Sequence, residues 1–257
     1  VGQSLLKGTP FEAMLQGGLD DSLFEGVNDT HYTVPNFHLW AHYPEPNVPV
    51  LWWRSVGNTH TGYVMETLVD ELAERAKADP IAYRKKLLAA DSKKLHAVLD
   101  LLEQKSAWRK SLPQGHAAGV ACHESFGTGV ACAVEVSLDR GKPRIHRATV
   151  AVDCGTAVNP LSIAAQMQGG LAFGMSQLVP HGLVTLKEGR VEQRNWDGYR
   201  PPYMADAPMA VDVHIVPSTE RPTGCGEPPV PVIAPAVANA LTRLTGRRYR
   251  KLPIEKV

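Results

Sequence analysis

Charge of one sign is missing from this 257-residue sequence: 27 Lys and Arg stand against 26 Asp and Glu, for a net charge of +1. Recognition of nucleic acid or of an anionic membrane needs a clustered basic surface, so neither is expected as a partner. The one basic cluster, Arg247-Arg248-Tyr249-Arg250-Lys251, follows a helical pattern, where cations complement the helix dipole. It is expected to be a solvated last turn and tail. Long apolar runs are missing too. Nothing approaches the ~18 apolar residues of a membrane span, and no basic region precedes an apolar one as in a signal peptide. The chain starts at Val1, and a processed or truncated piece of a longer polypeptide is expected.

Cysteine is scarce: Cys122, Cys132, Cys154 and Cys225 are too few and too scattered for a disulfide scaffold, and none forms a C-x-x-C pair. The ten histidines place no H-x-x-x-H or H-E-x-x-H pair on a predicted helical face, so no protein-ligated metal site is expected. A serine hydrolase would need a G-x-S-x-G elbow, which does not occur. A Cys122/His123 nucleophile pair is disfavoured because neighbours on a strand point to opposite faces. Gly127-Thr128-Gly129 lacks the strand-before, helix-after setting of a dinucleotide site.

What is present is an ordinary globular composition, 44% hydrophobic and 21% charged, with 22 Gly and 20 Pro gathered in short motifs. Residues 1–112 read as an irregular segment followed by a helical region, and residues 113–257 as an α+β lobe. Gly17-Gly18 and the prolines from Pro44 to Pro49 exclude long helices and central strands near the start. A helix is predicted from Thr59, its apolar spacing carried by Tyr63, Val64, Thr67, Leu68 and Leu72. A second starts at the capping pair Asp79-Pro80 and turns Tyr83, Leu87 and Leu88 to one face. A third runs from about Ser92 to Trp108. The period then changes to two: Val130, Cys132, Val134 and Val136 alternate with Ala131, Ala133, Glu135 and Ser137. After the turn Asp139-Arg140-Gly141-Lys142 a return strand is predicted over 145–152. Asn159-Pro160 opens a helix over 160–178, whose Gly169, Gly170 and Gly174 point to unusually close packing. Short strands are expected at 182–186 and 211–216, around a turn at 187–190, and a last helix over 235–244 stops at Gly246. The fold class is α+β: a helical layer followed by mixed hairpins and helices.

Four segments are candidates for chemistry. In Thr223-Gly224-Cys225-Gly226-Glu227-Pro228-Pro229 a lone carboxylate stands among glycines and prolines, where burial would make it an effective base; a loop glutamate serving an ion pair is the plainer account. Asp153-Cys154-Gly155-Thr156-Ala157-Val158-Asn159-Pro160, continuing to Gln166-Met167-Gln168-Gly169-Gly170, suits either an anionic or heteroaromatic ligand at a helix start, or a tightly packed strand-to-helix joint. Arg54, after Trp52-Trp53, is a candidate oxo-group clamp or a side chain lying over tryptophan. The fourth segment is His123-Glu124-Ser125-Phe126-Gly127-Thr128-Gly129.

In this order, Val1-Gly2-Gln3-Ser4, Trp52-Trp53-Arg54-Ser55-Val56-Gly57, residues 123–129, 153–160, 166–170 and Gly226-Glu227-Pro228-Pro229 resemble the C-terminal third of the large, molybdopterin-binding subunit of molybdenum hydroxylases. The branch resembled is that of the isoquinoline 1-oxidoreductase beta subunit, related to xanthine dehydrogenases and aldehyde oxidoreductases. The resemblance implies hydroxylation of an aldehyde or N-heteroaromatic carbon with water-derived oxygen. Its molybdenum would be held by a pterin cofactor, for which a cytosine dinucleotide form is admitted. It also implies Glu227 as general base, and Gln166, Arg54, Trp53 and Gly226 beside the cofactor. Partners implied are the N-terminal part of the large subunit, a small subunit with [2Fe-2S] clusters and a cytochrome c as a candidate acceptor. Compartment stays open between cytoplasm and periplasm. The glycine-rich Phe-Gly motif and the Met-Gly-Gln-Gly motif, which lie upstream in the branch, do not occur here, and Gln168 stands where the family usually has glutamate. A cofactor-free, non-catalytic module is the alternative, and a thiol hydrolase using Cys122 or Cys225 a third reading.

Overall fold

The computed structural model describes residues 8–10, 12, 23–42, 52–108 and 110–254. The motifs at Val1–Ser4, Gly17-Gly18 and Pro44–Pro49 therefore lie outside the described residues. Three helices come first, α1 (Asn58–Arg75), α2 (Pro80–Leu87) and α3 (Lys93–Lys105), and then three strands, β1 (His116–Ser125), β2 (Thr128–Asp139) and β3 (Lys142–Asp153). Helix α4 (Pro160–Gly174), the short strands β4 (Leu186–Lys187) and β5 (Arg190–Val191), strand β6 (Val211–Ile215) and helix α5 (Val230–Thr245) complete the chain. This is the expected α+β architecture.

Local chemistry starts two of the helices as the sequence indicated. Asp79 accepts the Ile81 and Ala82 N–H groups at 3.0 and 2.9 Å ahead of Pro80, and Asn159 accepts the Ser162 N–H at 3.0 Å ahead of Pro160. Each cap satisfies a backbone donor that the first helical turn leaves without a partner.

The sheet runs β1-β2-β3-β6, antiparallel except for β6, which lies parallel to β3. Both faces of β2 are covered. Val130, Cys132, Val134 and Val136 face α4 and α5, meeting Met167, Leu171, Ile233 and Leu241. Ala131 and Ala133 face α3, meeting Leu95, Val98, Leu99 and Leu102. Small side chains on the second face let a helix lie close to the strands. On β1, a Cβ added to Gly119 would stand 2.0 Å from the Ala236 carbonyl oxygen, so α5 rests directly on strand backbone. Gly170 and Gly174 admit α5 in the same way, since added Cβ atoms would meet Pro229 at 2.2 Å and Ile233 at 2.6 Å. Gly169 has open space instead.

Four expectations need correction. Helix α1 turns Val64, Leu68 and Leu72 outward and buries Met65, Val69 and Ala73 together with Glu66 and Asp70. Apolar spacing picked the wrong stripe because the inward carboxylates are neutralised from elsewhere. Arg84 of α2 meets Glu66 at 2.8 Å and Asp70 at 3.6 Å, and Arg243 of α5 meets Asp70 at 2.8 Å. Helix α5 begins at Val230, ahead of Pro235, which lies in its interior. A mid-helix proline costs about 3 kcal/mol, offset by burial of every residue from Val230 to Thr242. The strand expected at 182–186 is a 3-10 turn over Pro180–Gly182 with pairing only at Leu186–Lys187. The basic C-terminal stretch is not a solvated tail: Tyr249 is buried and its carbonyl accepts the Tyr63 hydroxyl at 2.6 Å. Arg248 and Arg250 pair with Glu74 and Glu71 of α1. Among the described residues, no helix is long and apolar enough to cross a membrane.

Candidate functional site

Three parts of the fold converge at one place: the loop entering α1, the loop entering α5 and the exposed side of α4. Arg54 donates from Nε to the Gly226 carbonyl at 2.6 Å and from Nη2 to Gln166 Oε1 at 3.1 Å. Ser55, 172 residues from Glu227 in sequence, donates its N–H to Glu227 Oε1 at 3.0 Å and its hydroxyl to the Glu227 carbonyl at 2.7 Å. The Trp53 ring lies 4.6 Å from that of Phe173, and the Arg54 guanidinium sits 5.6 Å from the Phe173 centroid. All five residues singled out in the sequence, Trp53, Arg54, Gln166, Gly226 and Glu227, thus meet.

The first loop achieves this at a cost in backbone strain. Ser55 and Val56 have φ of 77° and 48°, a left-handed region that a β-branched residue enters only when its surroundings fix it. The Val56 N–H bonds to the Trp53 carbonyl at 2.8 Å, and the Thr59 hydroxyl to that of Arg54 at 2.9 Å. The reversal turns the Arg54 side chain and the Ser55 N–H toward the same target. Glu227 is half-buried, with the site open on one side.

The other motifs hold the second loop. Thr128 donates to the Gly224 carbonyl at 2.7 Å. The Thr223 N–H bonds to the Cys154 carbonyl, and the Thr156 N–H to that of Glu220, each at 2.9 Å. A Cβ at Gly155 would meet the Arg221 carbonyl oxygen at 2.3 Å, so residues 153–160 form a packed strand-to-helix joint. A Cβ at Gly226, by contrast, would meet only Gln166 Oε1 at 3.8 Å; no close approach by a described residue demands glycine there. Burial pushes the Cys225 thiol up to about 12, with neighbouring Cys154 adding to the rise, and drives buried Cys122 upward as well. Neither is poised as a thiolate nucleophile.

Sequence reasoning missed three residues of this neighbourhood. Phe173 lies seven positions after Gln166, two helical turns on, and that spacing is a usable signal. Ser55 is legible only as the neighbour of Arg54. Glu25 carries no signal at all. Its Oε2 accepts the Gly57 N–H at 3.1 Å. Burial above all raises the Glu25 carboxyl above its ordinary range; the Gly57 N–H opposes the rise, and the charges of Asp29 and Glu227 add to it.

Arg54 Nη1 and the Gln166 amide N–H groups have no partner among the described residues. Together with the Trp53–Phe173 wall and the open space at Gly169, they form a donor set suited to a flat, polar, heteroaromatic group. A recess of about 380 Å³, with Ile145, Met175, Leu178, Val237 and Ile254 in its lining, lies elsewhere and is lined by none of these residues.

The sequence profile of the molybdopterin cofactor-binding domain matches residues 65–208. A membrane-bound aldehyde dehydrogenase of Gluconacetobacter polyoxogenes, named for pyrroloquinoline-quinone, is 31% identical over 96% of this chain and 35% of its own length. The isoquinoline 1-oxidoreductase beta chain of Brevundimonas diminuta is 30% identical over 87% of this chain and 29% of its own length. A nicotinate dehydrogenase polypeptide of Pseudomonas putida is 29% identical over 96% of this chain and 23% of its own length. This chain therefore spans 23% to 35% of the length of these relatives. The aldehyde oxidoreductase of Desulfovibrio gigas superposes with a TM-score of 0.63 at 14% identity, covering 78% of this chain and 40% of that one, and shares the fold. The chain belongs to the molybdopterin cofactor-binding domain family of the molybdenum hydroxylases.

Proposed function

We propose that this chain is the C-terminal portion of the catalytic subunit of a molybdenum-dependent hydroxylase that oxidises an aldehyde or an N-heteroaromatic carbon with water-derived oxygen. The observation that carries the proposal is the convergence of Glu227, Arg54, Gln166 and Trp53 on one open surface. When bound, the molybdenum-pterin cofactor would supply the redox chemistry. Glu227 is the general base: Ser55 fixes one carboxylate oxygen, which leaves the other to take a proton from the reacting group. Arg54 and Gln166 would hold the cofactor through their open N–H groups. Trp53 and Phe173 would exclude water from one side, and Gly226 presents its carbonyl to Arg54.

The remaining parts of the enzyme follow from the same reading. The N-terminal part of the large subunit completes the cofactor site, and a small subunit carries [2Fe-2S] clusters for electron exit to an acceptor such as a cytochrome c. A pterin in cytosine dinucleotide form belongs to this proposal. The names of its relatives, aldehyde dehydrogenase, isoquinoline 1-oxidoreductase and nicotinate dehydrogenase, support the two substrate classes.

The test is Glu227→Gln in the assembled enzyme, with molybdenum content measured beside turnover of an aldehyde and of an N-heterocycle. Turnover is expected to fall by about two or more orders of magnitude, the loss of a general base, at unchanged molybdenum content. An assembled protein without molybdenum, or a variant with full turnover, refutes the proposal.

A further inference from the structure

Glu25 and Glu227 grip the same loop from two sides. Glu227 Oε1 accepts the Ser55 N–H at 3.0 Å, and Glu25 Oε2 accepts the Gly57 N–H at 3.1 Å. Between these anchors lie Ser55 and Val56, with φ of 77° and 48°. Such a pair needs fixing at both ends, since each residue in this region stores strain that its surroundings must hold. Glu25 is itself built in: its carbonyl accepts the Thr61 hydroxyl at 2.7 Å, and the Asn58 side chain nearby favours its charged form. Asn58 in turn bonds buried His123 at 2.7 Å. Nothing in the general-base reading uses these contacts.

We propose that Glu25 is a positioning residue for the reaction, holding the strained 55–56 backbone so that Arg54 reaches Gly226 and the Ser55 N–H meets Glu227. The proposal rests on Glu227 as the base. Burial, and then the charges of Asp29 and Glu227, raise the Glu25 carboxyl, while the Gly57 N–H opposes the rise. The groups facing Glu25 are Asp29 in its own turn, Glu227 on the opposite loop, and the Gly57 N–H and Asn58 amide at the start of α1. Burial lowers His60 on the same helix, with the Leu23 backbone opposing, and His123 interacts electrostatically with Asp29. No cation among these neutralises Glu25.

The experiment compares wild type, Glu25→Ala, Glu25→Gln and Glu227→Gln in the assembled, full-length enzyme. The first readout is amide hydrogen exchange of peptides covering residues 52–60. In Glu25→Ala, exchange there is expected to rise at least about tenfold, the effect of losing one charge-assisted hydrogen bond, with β2 and β3 peptides unchanged. Glu25→Gln keeps an acceptor oxygen and is expected to restore protection. Unchanged exchange in Glu25→Ala, or a rise spread over the whole chain, overturns the proposal.

The second readout is turnover of benzaldehyde and isoquinoline with a soluble dye as acceptor, between about pH 5 and 9. Glu25→Ala should lower kcat more than it alters KM. Glu25→Gln should recover most of that kcat, because it keeps an acceptor for the Gly57 N–H. A Glu25→Gln variant no faster than Glu25→Ala overturns the positioning role. Should Glu227→Gln keep full turnover while Glu25→Ala loosens the loop, the general-base reading fails and the anchoring role stands.

Discussion

Replacing Arg84 with Met strikes the polar node under the helical layer. Arg84 and Glu66 are 0% and 1% exposed and meet at 2.8 Å. Without the guanidinium, Glu66 keeps the Tyr32 hydroxyl and the Cys122 N–H, the latter at 2.8 Å. Asp70 keeps Arg243 at 2.8 Å and Arg248 at 3.5 Å. The loss therefore falls on Glu66. Breaking a buried ion pair by removing one partner costs about 3–5 kcal/mol. Methionine fills the space of the aliphatic stem, so little is added for packing.

Urea unfolding of wild type and Arg84→Met at about pH 7, followed by tryptophan fluorescence, measures this loss. A deficit under about 1 kcal/mol would refute the assignment of Glu66 as a buried, cation-dependent carboxylate.

Two further outcomes concern the same frame. Burial lowers His123 to about 4, so between that value and the unfolded ~6.5 the native state binds fewer protons than the unfolded chain and stability falls as pH falls. Wild type should lose roughly 3 kcal/mol across this window relative to His123→Gln, and a pH-independent difference in their unfolding midpoints would contradict it. Gly119→Ala should destabilise by about 1–3 kcal/mol or more by overpacking, since its Cβ would stand 2.0 Å from the Ala236 carbonyl oxygen and 2.4 Å from the Ala240 nitrogen. Thermal unfolding at wild-type temperature would show that α5 does not rest on the β1 backbone.

The molecule divides by the range of the forces involved. Where a signal is local, the residues announce it: Asp79-Pro80 and Asn159-Pro160 cap helices because side chain and acceptor lie within one turn. The β2–β3 hairpin is legible because Asp139 and Lys142 close the turn that joins its two alternating runs. The site was legible as a set of types, a carboxylate, an arginine, an amide and a tryptophan in short motifs.

Other features depend on partners far away in sequence, and local pattern misreads them. Hydropathy turned Val64, Leu68 and Leu72 inward, whereas Arg84 and Arg243 make Glu66 and Asp70 the buried face. Proline arithmetic placed the start of α5 at Pro235, whereas burial on two sides lets the helix run through it. Glu25 has no motif, and it acquires a role only because the chain brings it to the Gly57 N–H. The sequence by itself determined the fold class, the caps and the chemical types at the site, because those rest on interactions within a few residues. Only the tertiary structure decided which helix face is buried, that Arg54 and Ser55 close on Gly226 and Glu227, and that a second carboxylate stands behind the first. Those rest on desolvation and charge pairing between segments that meet only once the chain has folded.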